Sequence, residues 1–154
     1  MGLDELAQIG WYKAEPPSAR EIADLLSIVD RSLRDLKAKD ISDDLRFQAA
    51  YNGILTLANI ALRASGFRVS LGQGHHQRVI ESLEYTLTTQ DSDARARWVR
   101  KIKVHSQKRN STSYDLAGGV SPSDLVQIIK DLKMLNEQVA VCLKETHPHL
   151  FPGA

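Results

Sequence analysis

The chain has 154 residues, enough for one domain, and 20 Lys+Arg against 19 Asp+Glu give a formal net charge of +1. That balance excludes a globally basic nucleic-acid coat and an acidic solvating tail. The single cysteine, Cys142, excludes an intrachain disulfide and zinc sites built on paired cysteines. No apolar run approaches the ~20 residues of a membrane span. Residues 1–8 include Asp4 and Glu5 and lack a basic-then-apolar leader pattern. The expectation is a cytoplasmic, single-domain protein that does not contact a membrane.

Residues 1–17 read as an N-terminal extension whose apolar side chains between Leu3 and Tyr12 pack on the rest of the chain or on a partner. The first helix opens after Pro16-Pro17, with Ser18 as N-cap and Glu21 three residues on, as in a capping box. Ile22, Leu25, Leu26, Val29, Leu33 and Leu36 then recur at helical spacing, and the helix is expected to end near Lys39.

A second helix starts at Ser42-Asp43-Asp44, with acids at the positive end of the helix dipole, and runs to about Ser65 before Gly66. Its middle is apolar or small nearly all round, the pattern of a central helix. Gly53 costs roughly 1 kcal/mol against Ala there, so close packing is the reason to keep it. Asn52, Thr56, Asn59 and Arg63 form a polar stripe through this element. They are either satisfied core amides or the lining of a polar cleft.

Residues 66–74 read as a loop. A shorter helix follows from His75 to Leu87, a fourth from Asp91-Ser92-Asp93 to about Ser111, and a fifth from Pro122 at its first turn. No segment shows the alternation of a strand. The predicted fold is all-α: an antiparallel four-helix up-and-down bundle plus one short extra helix over 18–146, with 147–154 as a tail.

The fourth helix carries the unusual charge. Seven of the fifteen residues from Arg95 to Arg109 are basic: Arg95, Arg97, Arg100, Lys101, Lys103, Lys108 and Arg109. No acid occurs from Ala94 to Tyr114, and the rest of the chain holds 13 bases and 19 acids, a net of −6. Such a field attracts phosphates, in a salt-dependent way. The alternative is a solvated face paired with acids on neighbouring helices. Trp98, Ile102, His105 and Arg109 share one stripe, so His105 and Arg109 continue the buried side toward the helix end. A guanidinium there needs a partner: a carboxylate, the Asn52 and Asn59 stripe, or a phosphate.

The run Arg109-Asn110-Ser111-Thr112-Ser113-Tyr114-Asp115 resembles the HEPN family (higher eukaryotes and prokaryotes nucleotide-binding domains). Ala50-Tyr51-Asn52, the closing Gly66 and Gly74-His75-His76 are similar to the same group, and the likeness covers roughly 18–143. It implies a small antiparallel helical bundle, generally a homodimer. It also implies an Arg–polar–…–His signature that cleaves RNA across the dimer interface without metal. Arg109 and Asn110 match the first two positions, but Tyr114 stands where the histidine is expected. A phenol with a pKa of about 10 is a poor general base at neutral pH. His105, one turn before Arg109, is the other candidate, without support from the family's spacing.

The site expected from these readings has Arg109 and Tyr114, with His105, at its chemical centre. Arg95, Arg100, Lys101, Lys108, Arg109 and Asn110 would bind RNA or a nucleotide, and Asn52 and Asn59 would support them. No cofactor or metal is called for: adjacent His75 and His76 point in different directions, and His147 and His149 fall in the tail, expected to be solvated. The family context is a toxin–antitoxin or defence module with weak or absent ribonuclease activity. The rival is a non-enzymatic module that docks a minimal nucleotidyltransferase.

Overall fold

The structure, a computed structural model, describes residues 2–72, 74–114 and 119–151, with the backbone alone over 111–114. In chain order the elements are α1 (Leu3–Gln8), β1 (Tyr12–Ala14), α2 (Ala19–Asp35), α3 (Asp43–Ala64), β2 (Phe67–Val69), α4 (His75–Glu81), α5 (Leu83–Thr86), α6 (Ser92–Tyr114), α7 (Pro122–Thr146) and a 3-10 turn at Pro148–Leu150. The chain is mostly helical, and no helix among the described residues is long and apolar enough to cross a membrane.

Serines set three of the helix starts. Ser18 Oγ accepts from the Glu21 amide at 3.1 Å and Ser42 Oγ from the Leu45 amide at 3.2 Å. Ser121 Oγ accepts from the Asp124 amide, and Asp124 accepts from the Ser121 amide, a complete capping box with Pro122 in the first turn. At Ser18 the Glu21 carboxylate also takes the Arg63 guanidinium on both its oxygens.

Two element boundaries differ from expectation. Helix α2 ends at Asp35, and residues 36–38 continue in tighter turns closed by Lys37 N–H to Arg34 O and Ala38 N–H to Asp35 O. The helix expected from His75 to Leu87 breaks at Ser82, whose hydroxyl donates to Val79 O at 2.6 Å, so that α4 and α5 are separate.

The expectation of no strand is overturned. Strand β1 pairs antiparallel with β2, Tyr12 opposite Val69 and Ala14 opposite Phe67. Three-residue strands are too short to show an alternating pattern. What holds this pair is burial of Tyr12 and Val69, with Tyr12 donating to Arg78 O at 2.7 Å.

Helix α3 is the centre, as its apolar circumference requires. It packs extensively on α2 and α7, and Phe47, Tyr51, Ile54, Leu57, Ile60 and Leu62 are fully buried. Helices α2 and α3 run antiparallel, bringing Glu21 to Arg63 and Ser32 to Gly53. A Cβ at Gly53 would lie 2.9 Å from Leu132 Cδ1 and 3.3 Å from Ser32 Cβ, so the glycine permits close approach of three helices. Helices α6 and α7 also run antiparallel, with Lys101 beside Asp131 and Lys108 beside Asp124. Cys142 is buried and donates to Thr86 O. In the C-terminal segment Leu150 is buried where the 3-10 turn meets α2 and α7. His147, expected to be solvated, is half-buried there, and burial, then the neighbouring His149, pushes its pKa down.

Candidate functional site

The polar stripe of α3 divides into two roles. Its C-terminal member, Arg63, is only 4% exposed and is fully engaged. Its Nε and Nη2 donate to the two Glu21 carboxylate oxygens at 2.7 and 3.1 Å, and Nη1 donates to the Glu15 and Phe67 carbonyls at 3.0 Å each. Glu15 adds an ion pair at 3.3 Å. The hydrogen bond from Arg63, ahead of the opposing desolvation, holds the Glu21 carboxyl below its ordinary value. Arg63 therefore ties the end of α3, the start of α2 and both strands together.

The middle of the stripe faces a cleft of about 280 Å³ between α2, α3, β2 and the start of α4. Glu21, Thr56, Asn59, Arg63, Arg68, His75 and His76 supply its polar lining, and Leu25, Leu55, Val69 and Val79 its apolar lining; Arg68 is paired with Glu15 at 3.1 Å. Asn59 is half-buried and makes no hydrogen bond among the described residues, so its amide is available to a ligand. Asn52, one turn before Thr56, is exposed; its carbonyl accepts from the Thr56 hydroxyl at 2.8 Å.

Arg109 lies outside the lining of this cleft. Its guanidinium lies 5.5 Å from the centre of the buried Tyr51 ring, a cation–π contact. Burial pushes the His76 pKa down, and the charges of His75 and Arg109 lower it further. His76 is accordingly neutral at pH 7, with a lone pair on one ring nitrogen. His75 and His76 lie 5.2 Å apart, ring to ring, on the first turn of α4. Among the described residues no three His, Cys, Asp or Glu side chains converge as metal ligands.

His105 lies on the buried stripe with Trp98 and Ile102, as its spacing requires. It is committed to a buried pair: Nε2 is 2.7 Å from Asp131 Oδ2, and the ring meets Phe47 edge-on at 6.1 Å. Asp131 Oδ1 accepts from Gln127 Nε2 at 3.0 Å and lies 3.7 Å from Lys101 Nζ. Burial raises the Asp131 pKa, but the His105 hydrogen bond, the Lys101 charge and Gln127 outweigh it, and the carboxyl stays below its ordinary value. Asp131 was a legible residue that the apolar reading of α7 passed over. It stands three residues after Ile128 and four before Leu135, on the buried stripe, where a carboxylate requires a partner.

The remaining bases of α6 separate into paired and open groups. Lys101 pairs with Asp131, Lys103 with Glu81 at 3.2 Å, and Lys108 with Asp124. Lys101 also lies over the Trp98 ring at 5.2 Å. Arg95 is half-buried in a depression it shares with Asp4, Glu5 and Glu84, its Nε buried without a hydrogen-bond partner. Arg97 and Arg100 are exposed and have no ion pair among the described residues. Asn110 is exposed; Tyr114 is the last residue of α6, and its side chain and Asp115 fall outside the described residues.

The structure thus brings His76 and Asn59 into one cleft, leaves Arg109 over Tyr51 outside its lining, and sends His105 to Asp131 in the interior. His75, His76, Arg68 and Glu21, which the expected residue set did not contain, join Thr56 and Asn59 of the stripe as lining. The signal for the histidines was present in Gly74-His75-His76, a turn that delivers two imidazoles to a helix start. No protein-family model, curated protein or solved structure matches the chain.

Proposed function

We propose that the chain is a HEPN-type four-helix protein that works as a homodimer and binds RNA or a nucleotide, with Arg109 at the centre. The observation that supports this most is the meeting of cleft and cation. Arg68 from β2 and His75 and His76 from α4 line one cleft with the Asn59 amide, and the Arg109 charge reaches His76 from outside the lining. The imidazoles and the Arg109 field suit a phosphate, although Arg63 and Arg68 are already paired with Glu21 and Glu15; an open amide beside Leu25 and Leu55 suits a base or sugar. Arg97 and Arg100 extend the electrostatic attraction along α6. His105 is held by Asp131 and Tyr114 occupies the motif's histidine position, so the reading is of binding, with weak or absent ribonuclease activity in a toxin–antitoxin or defence module.

The test is binding of a short labelled single-stranded RNA, and of mononucleotides in competition, to wild type and Arg109→Ala across a range of salt. Wild type should bind with a steep salt slope, and Arg109→Ala should lose roughly tenfold, about 1.4 kcal/mol. Cleavage products in EDTA would add a metal-independent nuclease; no binding at low salt would overturn the reading. A second reading, a module docking a nucleotidyltransferase, is favoured by one observation. Lys101, Lys103 and Lys108 are already neutralised by Asp131, Glu81 and Asp124, which leaves less free charge than the sequence count suggests.

A further inference from the structure

Helix α7 buries one stripe and leaves the opposite face open. Val126 is 68% exposed, Met134 41% and Val141 39%. With Ile129, Lys130, Lys133 and Glu137, Val126 and Met134 line a shallow apolar depression. Positions 126, 130, 133, 137 and 141 follow one another at spacings of four, three, four and four, one continuous face of a helix. Lys130, Lys133 and Glu137 have no ion pair within the chain among the described residues, whereas three lysines of neighbouring α6 are all paired.

The order of these residues is self-complementary. Val126 and Val141 are equidistant from the Lys133–Met134 step, and so are Lys130 and Glu137. Two copies laid antiparallel across a two-fold axis at that step would set Val126 on the partner's Val141. Lys130 would meet the partner's Glu137, and the stem of Lys133 would cover the partner's Met134. Each contact would occur twice, as an isologous interface requires. A parallel pairing would instead set Lys130 on Lys130 and Glu137 on Glu137, which like charges oppose.

We propose that this face of α7 is the self-association surface and that its occupant is a second copy of the chain, antiparallel about the Lys133–Met134 step. The proposal gives a location to the homodimer of the proposed function and rests on that reading for the dimer alone, not for RNA. Met134 also borders a small depression with Arg97, Trp98 and Lys101. The two-fold axis would therefore draw the Arg97 side chains of both protomers toward one place.

The test is sedimentation velocity of the full chain at micromolar concentration without RNA, with RNA binding measured separately. Wild type should be a dimer. Glu137→Lys should weaken the dimer by roughly tenfold or more, and the exchange Lys130→Glu with Glu137→Lys should restore it. Both positions are exposed, so the helical circular dichroism of the variants should match wild type, with any fall in Tm following the lost dimer. For register, a mixture of Val126→Cys and Val141→Cys chains should crosslink on oxidation, and Val126→Cys alone should not. A monomeric wild type, a dimer indifferent to Glu137→Lys, or crosslinking of Val126→Cys alone would overturn the proposal. A monomer that binds RNA would refute this surface and leave the binding reading standing; a dimer that ignores RNA would do the reverse.

Discussion

Replacing Arg63 by alanine tests whether a single buried guanidinium ties both strands to α2 and α3. The variant loses five hydrogen bonds of 2.7–3.4 Å, two to Glu21 and three to the backbone carbonyls of Glu15, Phe67 and, more weakly, Pro16. The Glu21 and Glu15 side chains are 36% and 38% exposed, so water recovers most of their loss, and about 1 kcal/mol remains. The Glu15 and Phe67 carbonyls, covered by the guanidinium, lose about 1 kcal/mol each. The total is about 3 kcal/mol, which corresponds to a fall in Tm of roughly 6–12 °C for a chain of this size. Urea unfolding followed by helical circular dichroism reads it as a lower midpoint at unchanged slope. Glu21→Gln should cost about 1 kcal/mol. Because the Glu21 pKa is depressed in the fold, its contribution is present above the ordinary 4.5 and disappears as pH falls through the lower folded-state value. Glu21→Gln should flatten that acid loss. An Arg63→Ala variant within about 1 kcal/mol of wild type would refute the anchoring role.

Burial, aided by the charge of Glu81, pushes the Tyr12 pKa up to about 12, so stability should fall as pH rises from 10 toward 12; tyrosinate absorbance during alkaline titration reads it. Tyr12→Phe should remove that loss and cost about 1 kcal/mol at neutral pH through the missing bond to Arg78 O. Gly53→Ala gains roughly 1 kcal/mol of helix propensity but meets Leu132 and Ser32, an overpacking of about 1–3 kcal/mol, so a net loss near 1 kcal/mol is expected on urea unfolding. A stabilised variant would contradict the close packing. His105→Ala should cost about 3 kcal/mol, because it strips the buried Asp131 of its nearest partner; Asp131→Asn in the same background should recover part of the loss in a double-mutant cycle.

Helix positions were readable because Ser18, Ser42 and Ser121 stand directly before apolar periodicity, and the caps form on those serines. The all-round apolar middle of α3 and the tight approach at Gly53 follow from the same pattern. The strand pair was not readable: it joins residues 12–14 to 67–69 across two helices, and three residues carry no period. Nor was the break at Ser82, where one hydroxyl bonded to Val79 O separates two helices that share an apolar pattern. At the site, the stripe spacing puts His105 and Arg109 on the side of Trp98 and Ile102; His105 is buried there and Arg109 half-buried. The spacing could not show that Glu21 would bind Arg63, nor which acids α6 would meet, because both depend on residues far away in the chain.

His76 carries a thermodynamic consequence for any anion that enters the cleft. Its proton is disfavoured by burial and by the positive charges of His75 and Arg109. An anion placed among those groups offsets the charges and draws the proton back, so binding should be accompanied by proton uptake near neutral pH. Affinity would then rise as the solution is acidified toward the His76 value. Binding heats measured in buffers of different ionisation enthalpy would diverge by an amount that counts the protons. The imidazole would thus serve as a built-in reporter of occupancy, sensitive to the charge of the guest whatever its identity.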